Sequence, residues 1–388
     1  MNSNNSVGVI GAGAMGSGIA QVAAATGESV LLYDADSSSL ERAKSNLQIA
    51  LTKLEEKQKI KTGEAAQIFS RIQFAESLKD FSTCNLIIEA IIEDLSIKQK
   101  VFAELENIVD GECILASNTS SLSIASIASA CKQSARVIGI HFFNPAPVMP
   151  LVEIIPAITT DSSITQSAKA RIDSWKKLTV LAKDTPGFIV NRVARSYYGE
   201  SIRIYEEGIA DFATIDWAMK EYGGFKMGPF ELMDFIGNDI NYKVTESVWQ
   251  QFFYEPRFKP SLTQKRLFEA KLLGKKSGKG YYNYAEGAIN PEPKKIELVG
   301  KQIFQRVLSM LINEATDSLY LNVASRDDLD LAMTKGVNYP KGLLQWADEI
   351  GLKKVLNTLQ SLYTLYGEDR YRPCVLLKLM VKENKKFY

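Results

Sequence analysis

In the first half of the chain the apolar positions fall into short runs of strand length. They lie at residues 7–10, 30–33, 71–74, 86–89, 114–117, 137–141, 151–155 and 179–182. Between them apolar residues recur at helical spacing, over 17–25, 39–61, 122–130 and 163–177 among others. Strand and helix patterns in alternation predict an α/β fold with a parallel sheet and right-handed crossovers. The stretch 39–61 carries Lys44, Lys53, Lys57, Lys59 and Lys61 among acids. A solvated helix face is its plain reading, and contact with an anionic ligand tail the sharper one.

The pattern changes at Asp184-Thr185-Pro186-Gly187. Thr185 has the chemistry of a helix N-cap and Pro186 that of a first helical residue, which predicts a helix from Phe188 to about Glu207. Strand signals then become few, marking an all-α domain. Residues 285–295, with Pro291 and Pro293 among polar neighbours, read as a linker. Beyond the linker the chain repeats itself. Ile189 to Arg192 is echoed by Ile303 to Arg306, and Ile215-Asp216-Trp217-Ala218-Met219 by Leu329-Asp330-Leu331-Ala332-Met333. Phe235-Ile236-Gly237 returns near Glu349-Ile350-Gly351. The expected division is therefore 1–184 for the sheet domain, 185–284 for a helical domain, 285–295 for the linker and 296–388 for a degenerate helical repeat.

Composition narrows the function classes. The 388 residues hold 46 Lys+Arg against 45 Asp+Glu, a formal charge of +1, so nothing global points to nucleic acid or a membrane surface. Cys84, Cys113, Cys131 and Cys374 are scattered without metal-ligand spacing, so no metal site is expected. Reduced, buried thiols are the expectation instead. No apolar run has membrane-spanning length, and residues 1–6 lack the charged and apolar regions of a signal peptide. A cytoplasmic protein is expected.

The candidate chemistry begins where the first strand ends. Gly11-Ala12-Gly13-Ala14-Met15-Gly16 stands between a strand and a helix. In that position the first glycine makes the tight turn, the second lets a pyrophosphate approach the backbone, and the third lets the helix pack closely. Asp34, at the end of the second strand, is placed to accept from an adenosine ribose hydroxyl. Asp34-Ala35-Asp36 would repel a ribose 2′-phosphate and no Arg is expected to follow and neutralise it, which favours NAD over NADP. His141 is the single histidine and ends an apolar strand, where ligands of open parallel sheets collect. A core imidazole is the plain alternative to a general base near neutral pH. Glu153 lies in an otherwise apolar run, where a carboxylate needs a partner; His141 would be one, and a solvent-facing edge position is the alternative. Ser117-Asn118-Thr119-Ser120-Ser121 ends the preceding strand and can bind a substrate oxygen, cap the next helix, or both. Asn191, amid Ile189, Val190 and Val193, is an amide in need of a partner, and a substrate oxygen is one candidate.

At these residues the sequence resembles the L-3-hydroxyacyl-CoA dehydrogenase family. The resemblance is carried by residues 11–21, 117–122, 141–149, 151–155, 183–192 and 227–232, and it spans roughly 6–284. It implies a Rossmann-type, doubly wound sheet followed by helices, with NAD as cofactor and an acyl-CoA as substrate. Ser120, His141, Glu153 and Asn191 fall on the family's catalytic positions, Ser120 and Asn191 being also substrate contacts. Glu93, Lys98, Ser120, Asn144 and Lys276 fall on positions that contact NAD, and Lys57 on one that contacts CoA. Read without the family, Glu93 and Lys98 are charges around a helix start and Lys276 is a loop lysine. The chain departs from the family pattern at Ala50, where a serine would accompany Lys57, and in the repeat, where Gln305 stands in the place of Asn191. The implied reaction is reversible oxidation of a (3S)-3-hydroxyacyl-CoA to the 3-ketoacyl-CoA, as in fatty-acid β-oxidation or related acyl-CoA metabolism. Two alternatives stand beside it: an NAD-dependent dehydrogenase of a free hydroxy or sugar acid, and a non-catalytic protein that binds NAD and acyl-CoA. The repeat is expected to pack on the first helical domain as a partner subunit's copy would, giving a homodimer or, if it replaces the partner, a monomer.

Overall fold

Every apolar run of the first half becomes a strand in the computed structural model, which describes residues 6–388. Residues 1–5, on which part of the signal-peptide reading falls, lie outside the described residues. The strands are β1 (Ser6–Ile10), β2 (Ser29–Tyr33), β3 (Ile72–Phe74), β4 (Leu86–Glu89), β5 (Ile114–Ser117), β6 (Val137–Phe142), β7 (Leu151–Pro156) and β8 (Leu178–Leu181). They form one sheet in the order β3-β2-β1-β4-β5-β6-β7-β8. Strands covered on both faces must be apolar along most of their length, which is why β4 and β6 are buried throughout. Val7, Val9, Leu32, Ile88, Ile140 and Ile154 belong to one core with Ile19 and Leu47.

The all-parallel expectation needs one correction. β7 runs antiparallel to β6, while the other pairs are parallel. Residues 143–150 are too few for a parallel crossover, which takes about a dozen residues or more.

Helices α1 (Ala14–Ala25), α2 (Ser37–Glu56), α3 (Glu64–Ser70), α4 (Leu95–Glu106), α5 (Ile124–Ala128) and α6 (Ser162–Ser174) connect the strands. The predicted helix over 39–61 ends early, at Glu56, and a turn leads to α3 through Gly63 at φ 82°. The predicted helix over 122–130 contracts to α5, whose N-cap is Ser123 rather than the Ser117–Ser121 stretch.

The chain divides into two compact units, Met1–Thr185 and Pro186–Tyr388. In the second, the helix expected from Phe188 starts later. Gly187 and Phe188 adopt positive φ, so a turn precedes α7 (Val190–Val193) and α8 (Arg195–Glu206). Thr185 is therefore no N-cap. The neighbouring Asp184 caps instead, its carboxylate accepting from the backbone N–H groups of Ile124 and Ala125 at the start of α5.

After α8 come α9 (Phe212–Gly223), α10 (Pro229–Ile236), α11 (Asn238–Gln251) and α12 (Leu262–Glu269). Beyond a 3-10 turn at Lys275–Ser277 and the irregular residues after it lie α13 (Glu297–Tyr320), α14 (Arg326–Gly336), α15 (Leu343–Ile350), α16 (Leu352–Tyr366) and α17 (Val375–Lys382). The internal contacts of these two helical segments repeat one another. Asp216 accepts from the N–H groups of Phe230 and Glu231, and Asp330 from those of Leu344 and Gln345. A side chain at Gly228 would collide with Asp216, and one at Gly342 with Asp330. Asp234 accepts from the N–H groups of Tyr281 and Tyr282, and Asp348 from those of Phe387 and Tyr388.

The segments also bind each other reciprocally. Arg192 pairs with Glu314, and Arg306, the counterpart of Arg192, pairs with Glu200, the counterpart of Glu314. Arg257 contacts Glu314, while its counterpart Tyr371 donates to Glu200. An exchange of this kind is the mark of a two-fold interface, here made within one chain.

Candidate active site

The glycine turn follows β1 directly. A Cβ on Gly11 would lie 2.5 Å from the carbonyl oxygen of Ala90, and one on Gly16 would lie 1.7 Å from that of Gly11. Around Gly13, by contrast, a Cβ would meet nothing within 4 Å. Two of the glycines thus close the turn and the third leaves its outer face open to a ligand. Gly13 is the N-cap of α1 and supplies no side chain, so the N–H groups of Ala14, Met15 and Gly16 have no side-chain cap. That is the geometry of an anion site, and it fits a pyrophosphate.

Asp34 lies at the end of β2. Its Oδ2 accepts from the N–H of Ala12 at 2.7 Å and its Oδ1 from that of Asp36 at 2.9 Å. A carboxylate has acceptor capacity beyond two bonds, so the residue can hold the turn and still receive a ribose hydroxyl. The expectation that no Arg follows these acids to neutralise them does not hold. An arginine does reach these acids: Arg42, one turn into α2, pairs with Asp36 at 3.3 Å and donates to Ser38 and Ser39. Its guanidinium is engaged with Asp36, and among the described residues no arginine pairs with Asp34.

His141 lies on β6 opposite Glu153 on β7, a direct cross-strand pair. The antiparallel turn of β7 creates this juxtaposition. Nδ1 donates to Oε2 of Glu153 at 2.7 Å, since an ionised carboxylate can only accept. Glu153 is fully buried, so the edge-strand alternative fails. The bond fixes the tautomer and leaves the basic lone pair on Nε2. Phe143 packs against the imidazole with 4.6 Å between ring centroids.

The loop after β5 is held by a second group of charges. Glu89, at the end of β4, accepts from Nζ of Lys98 at 2.6 Å and from Oγ of Ser117 at 2.7 Å. Lys98 also lies 3.4 Å from Glu93. Glu93 accepts from the Oγ1 of Thr119 and from the N–H groups of Ser120 and Ser121. Burial opposes its ionisation, but Lys98 and these donors outweigh that and hold its carboxyl below the usual carboxylate range. Lys98 is buried, so it is not the surface charge that sequence alone allowed. Asn118 ties the same loop to β6, accepting from the N–H of Phe142 at 2.8 Å. Glu89 has no role among the sequence expectations, although it too is an acid in an apolar run, the signal that exposed Glu153.

The remaining predicted residues are spread over both units. Ser120 is half-buried and Asn144 exposed, the latter preceding a cis bond to Pro145. Between α1 and α2 lies a cavity of about 460 Å³ lined by Gly13, Ser17, Arg42, Ala50 and Pro147. Lys57 is exposed at the C-cap of α2 and outside that lining. In the second unit, Asn191 lies half-buried in α7 and Lys276 pairs with Asp239 at 2.6 Å.

Comparison with known proteins agrees with this geometry. Residues 6–185 match the family model described as 3-hydroxyacyl-CoA dehydrogenase, NAD binding domain. Residues 187–284 and 303–386 match the one described as 3-hydroxyacyl-CoA dehydrogenase, C-terminal domain. The chain is 36% identical to a 3-hydroxyadipyl-CoA dehydrogenase of Escherichia coli K12, over 96% of each protein. It is 40% identical to the human mitochondrial hydroxyacyl-coenzyme A dehydrogenase, over 71% of this chain and 90% of that protein. A crystal structure of 3-hydroxybutyryl-CoA dehydrogenase from Escherichia coli K12 superimposes with a TM-score of 0.92 at 34% identity, covering 98% of both chains. With a nucleotide turn at β1, a paired histidine at the end of β6 and these matches over nearly its whole length, the chain belongs to the 3-hydroxyacyl-CoA dehydrogenase family and is an NAD-dependent oxidoreductase.

Proposed function

We propose that this enzyme interconverts (3S)-3-hydroxyacyl-CoA and 3-ketoacyl-CoA with His141 as the general base. The observation that carries the reading is the buried His141–Glu153 pair at the carboxyl end of β6. NAD, when bound, supplies the hydride acceptor. Nε2 of His141 takes the proton from the 3-hydroxyl as that carbon is oxidised. Glu153 keeps the ring oriented and stabilises the imidazolium that forms. In reduction the same nitrogen returns the proton. Ser120, Asn191 and Lys57 are assigned to the substrate, the first two to its 3-oxygen and acyl group and Lys57 to its CoA. Gly11 to Gly16, Asp34, Glu93, Lys98, Ser120, Asn144 and Lys276 are assigned to NAD. Glu93 and Lys98 would act in part by setting the shape of the Ser120 loop.

NADH oxidation measured over a series of 3-ketoacyl-CoA substrates tests the reading. The series starts at acetoacetyl-CoA and includes a dicarboxylic six-carbon acyl group, with free acetoacetate as the control. Turnover of the thioesters and none of the free acid is expected. Turnover of free acetoacetate at a similar rate would point to a free hydroxy acid, and no oxidation at all to a binding role.

Among the described residues no helix is long and apolar enough to cross a membrane. The four cysteines are buried and free, which suits a reducing compartment, and we assign the enzyme to the cytoplasm. We further assign to 296–388 the place that a partner subunit's helical domain would take. Deleting the residues after Tyr284 strips Arg192 and Arg257 of Glu314 and Asp317. Self-association of the shortened chain on size-exclusion chromatography is then expected, and an unchanged monodisperse species would contradict the assignment.

A further inference from the structure

The second helical segment, with Ile204 and Ile209 of the first, forms a groove of about 970 Å³ that no step of the proposed reaction uses. It runs between α13 and α16. Ile209, Val299, Ile303, Ile350, Leu362 and Leu365 make its apolar wall. No Asp or Glu lines it, whereas Lys353, Lys354 and Arg306 do. Arg306 is already neutralised by Glu200 and Glu207, but neither lysine forms an ion pair among the described residues. A long apolar cleft with a few polar groups and a cationic rim of one sign is built for an aliphatic chain with an anionic head.

The repeat supplies a second, independent reason. Gln305, which donates to Thr358 beside the groove, occupies the place of Asn191, and Ile303 that of Ile189. Ile350-Gly351 occupies that of Ile236-Gly237, with both glycines at positive φ. The groove is thus the second segment's version of the face that bears Asn191, the residue assigned to the acyl group. At the rim the two versions differ. Asp239 in the first segment is neutralised by Lys276, and its counterpart in the second is Lys353.

We propose that the groove between α13 and α16 is an additional acyl-binding site, which takes an aliphatic chain carrying a negatively charged head. The identity of the chain rests on the acyl-CoA reading of the active site; the existence of the groove site does not. A free long-chain carboxylate and a long-chain acyl-CoA share this chemistry.

Titration calorimetry on the full chain carrying His141→Gln, with NAD present, tests the site without requiring turnover. Two equivalents of dodecanoyl-CoA are expected per chain, of which excess acetoacetyl-CoA displaces one. The other should weaken about fourfold for each methylene removed from the chain. It should also weaken at least tenfold in a K353E/K354E variant and vanish in Leu365→Asp, a change at a side chain that is 76% exposed. Dodecanoate that competes for this equivalent identifies the free carboxylate as a ligand; a site that accepts only the thioester identifies acyl-CoA. A single equivalent fully displaced by acetoacetyl-CoA would overturn the proposal. So would light scattering that shows a concentration-dependent dimer lost in Leu365→Asp with no second equivalent, since the groove would then belong to a second copy of the chain. If the wild type turns over no acyl-CoA yet retains the second equivalent, the catalytic assignment fails and the groove stands.

Discussion

The two units bury charge for opposite ends. In the first, the pairs His141–Glu153 and Glu89–Lys98 are buried near the carboxyl ends of β6 and β4, and one member, the imidazole, must change its charge during the proposed reaction. In the second, Arg192, Arg257 and Arg306 meet Glu314, Asp317, Glu200 and Glu207 between two helical segments. Guanidinium groups do not titrate in proteins, so the positive half of each pair is permanent and serves to lock an interface. The same rule, that a buried charge needs a partner, gives a working site where a member gains and loses a proton in the reaction and a rivet where none does.

Breaking the first cluster should produce the largest effect. His141→Gln removes the base, and kcat is expected to fall by about two to four decades. NAD affinity, read by NADH fluorescence, and the thermal midpoint should stay near those of the wild type. Turnover within tenfold of the wild type would show that the pair is structural, like those of the second unit.

Glu314→Gln tests the opposite case. It leaves the Arg192 and Arg257 charges short of one buried partner, and urea unfolding should show a loss of about 3 kcal/mol. Turnover per folded molecule should persist. A drop in kcat as large as that of His141→Gln, with stability unaltered, would erase the contrast.

Per pH unit the effect is smaller still for a titrating group inside the second unit, and it sharpens the comparison. Burial pushes the Asp216 carboxyl up from 3.8 to about 7, against the lowering influence of Tyr282 and the N–H of Phe230. Folding therefore favours its protonated form. The stability it contributes is complete below pH 3.8 and lost as the pH rises through about 7. Unfolding measured between those values should lose stability with rising pH, by at most about 1.4 kcal/mol per unit from this one proton. Asp216→Asn should flatten that slope; an undiminished slope would place the titrating group elsewhere.

Much of this was legible in advance because it rests on local rules. The eight strands, the glycine turn and the acid after β2 are consequences of apolar runs and turn chemistry within a few residues. His141 and Glu153 were legible for a related reason: an ionisable group in an apolar run advertises a need for a partner. Boundaries set by competing local forces were less so. Thr185 and Pro186 have the right chemistry for a helix start, yet Gly187 and Phe188 turn the chain first, and it is Asp184 that caps a helix, α5.

What the sequence by itself determined is the order of elements and the kinds of residue able to bind phosphate, ribose and a proton, since these depend on nearest neighbours along the chain. Tertiary structure alone decided which of them meet. A connection too short to cross over reverses β7 and brings Glu153 against His141. Glu89 becomes the anchor of Lys98 and Ser117 because adjacent strands end at the same level of the sheet. The reciprocal pairs Arg192–Glu314 and Arg306–Glu200 join residues more than a hundred positions apart, which no local pattern encodes.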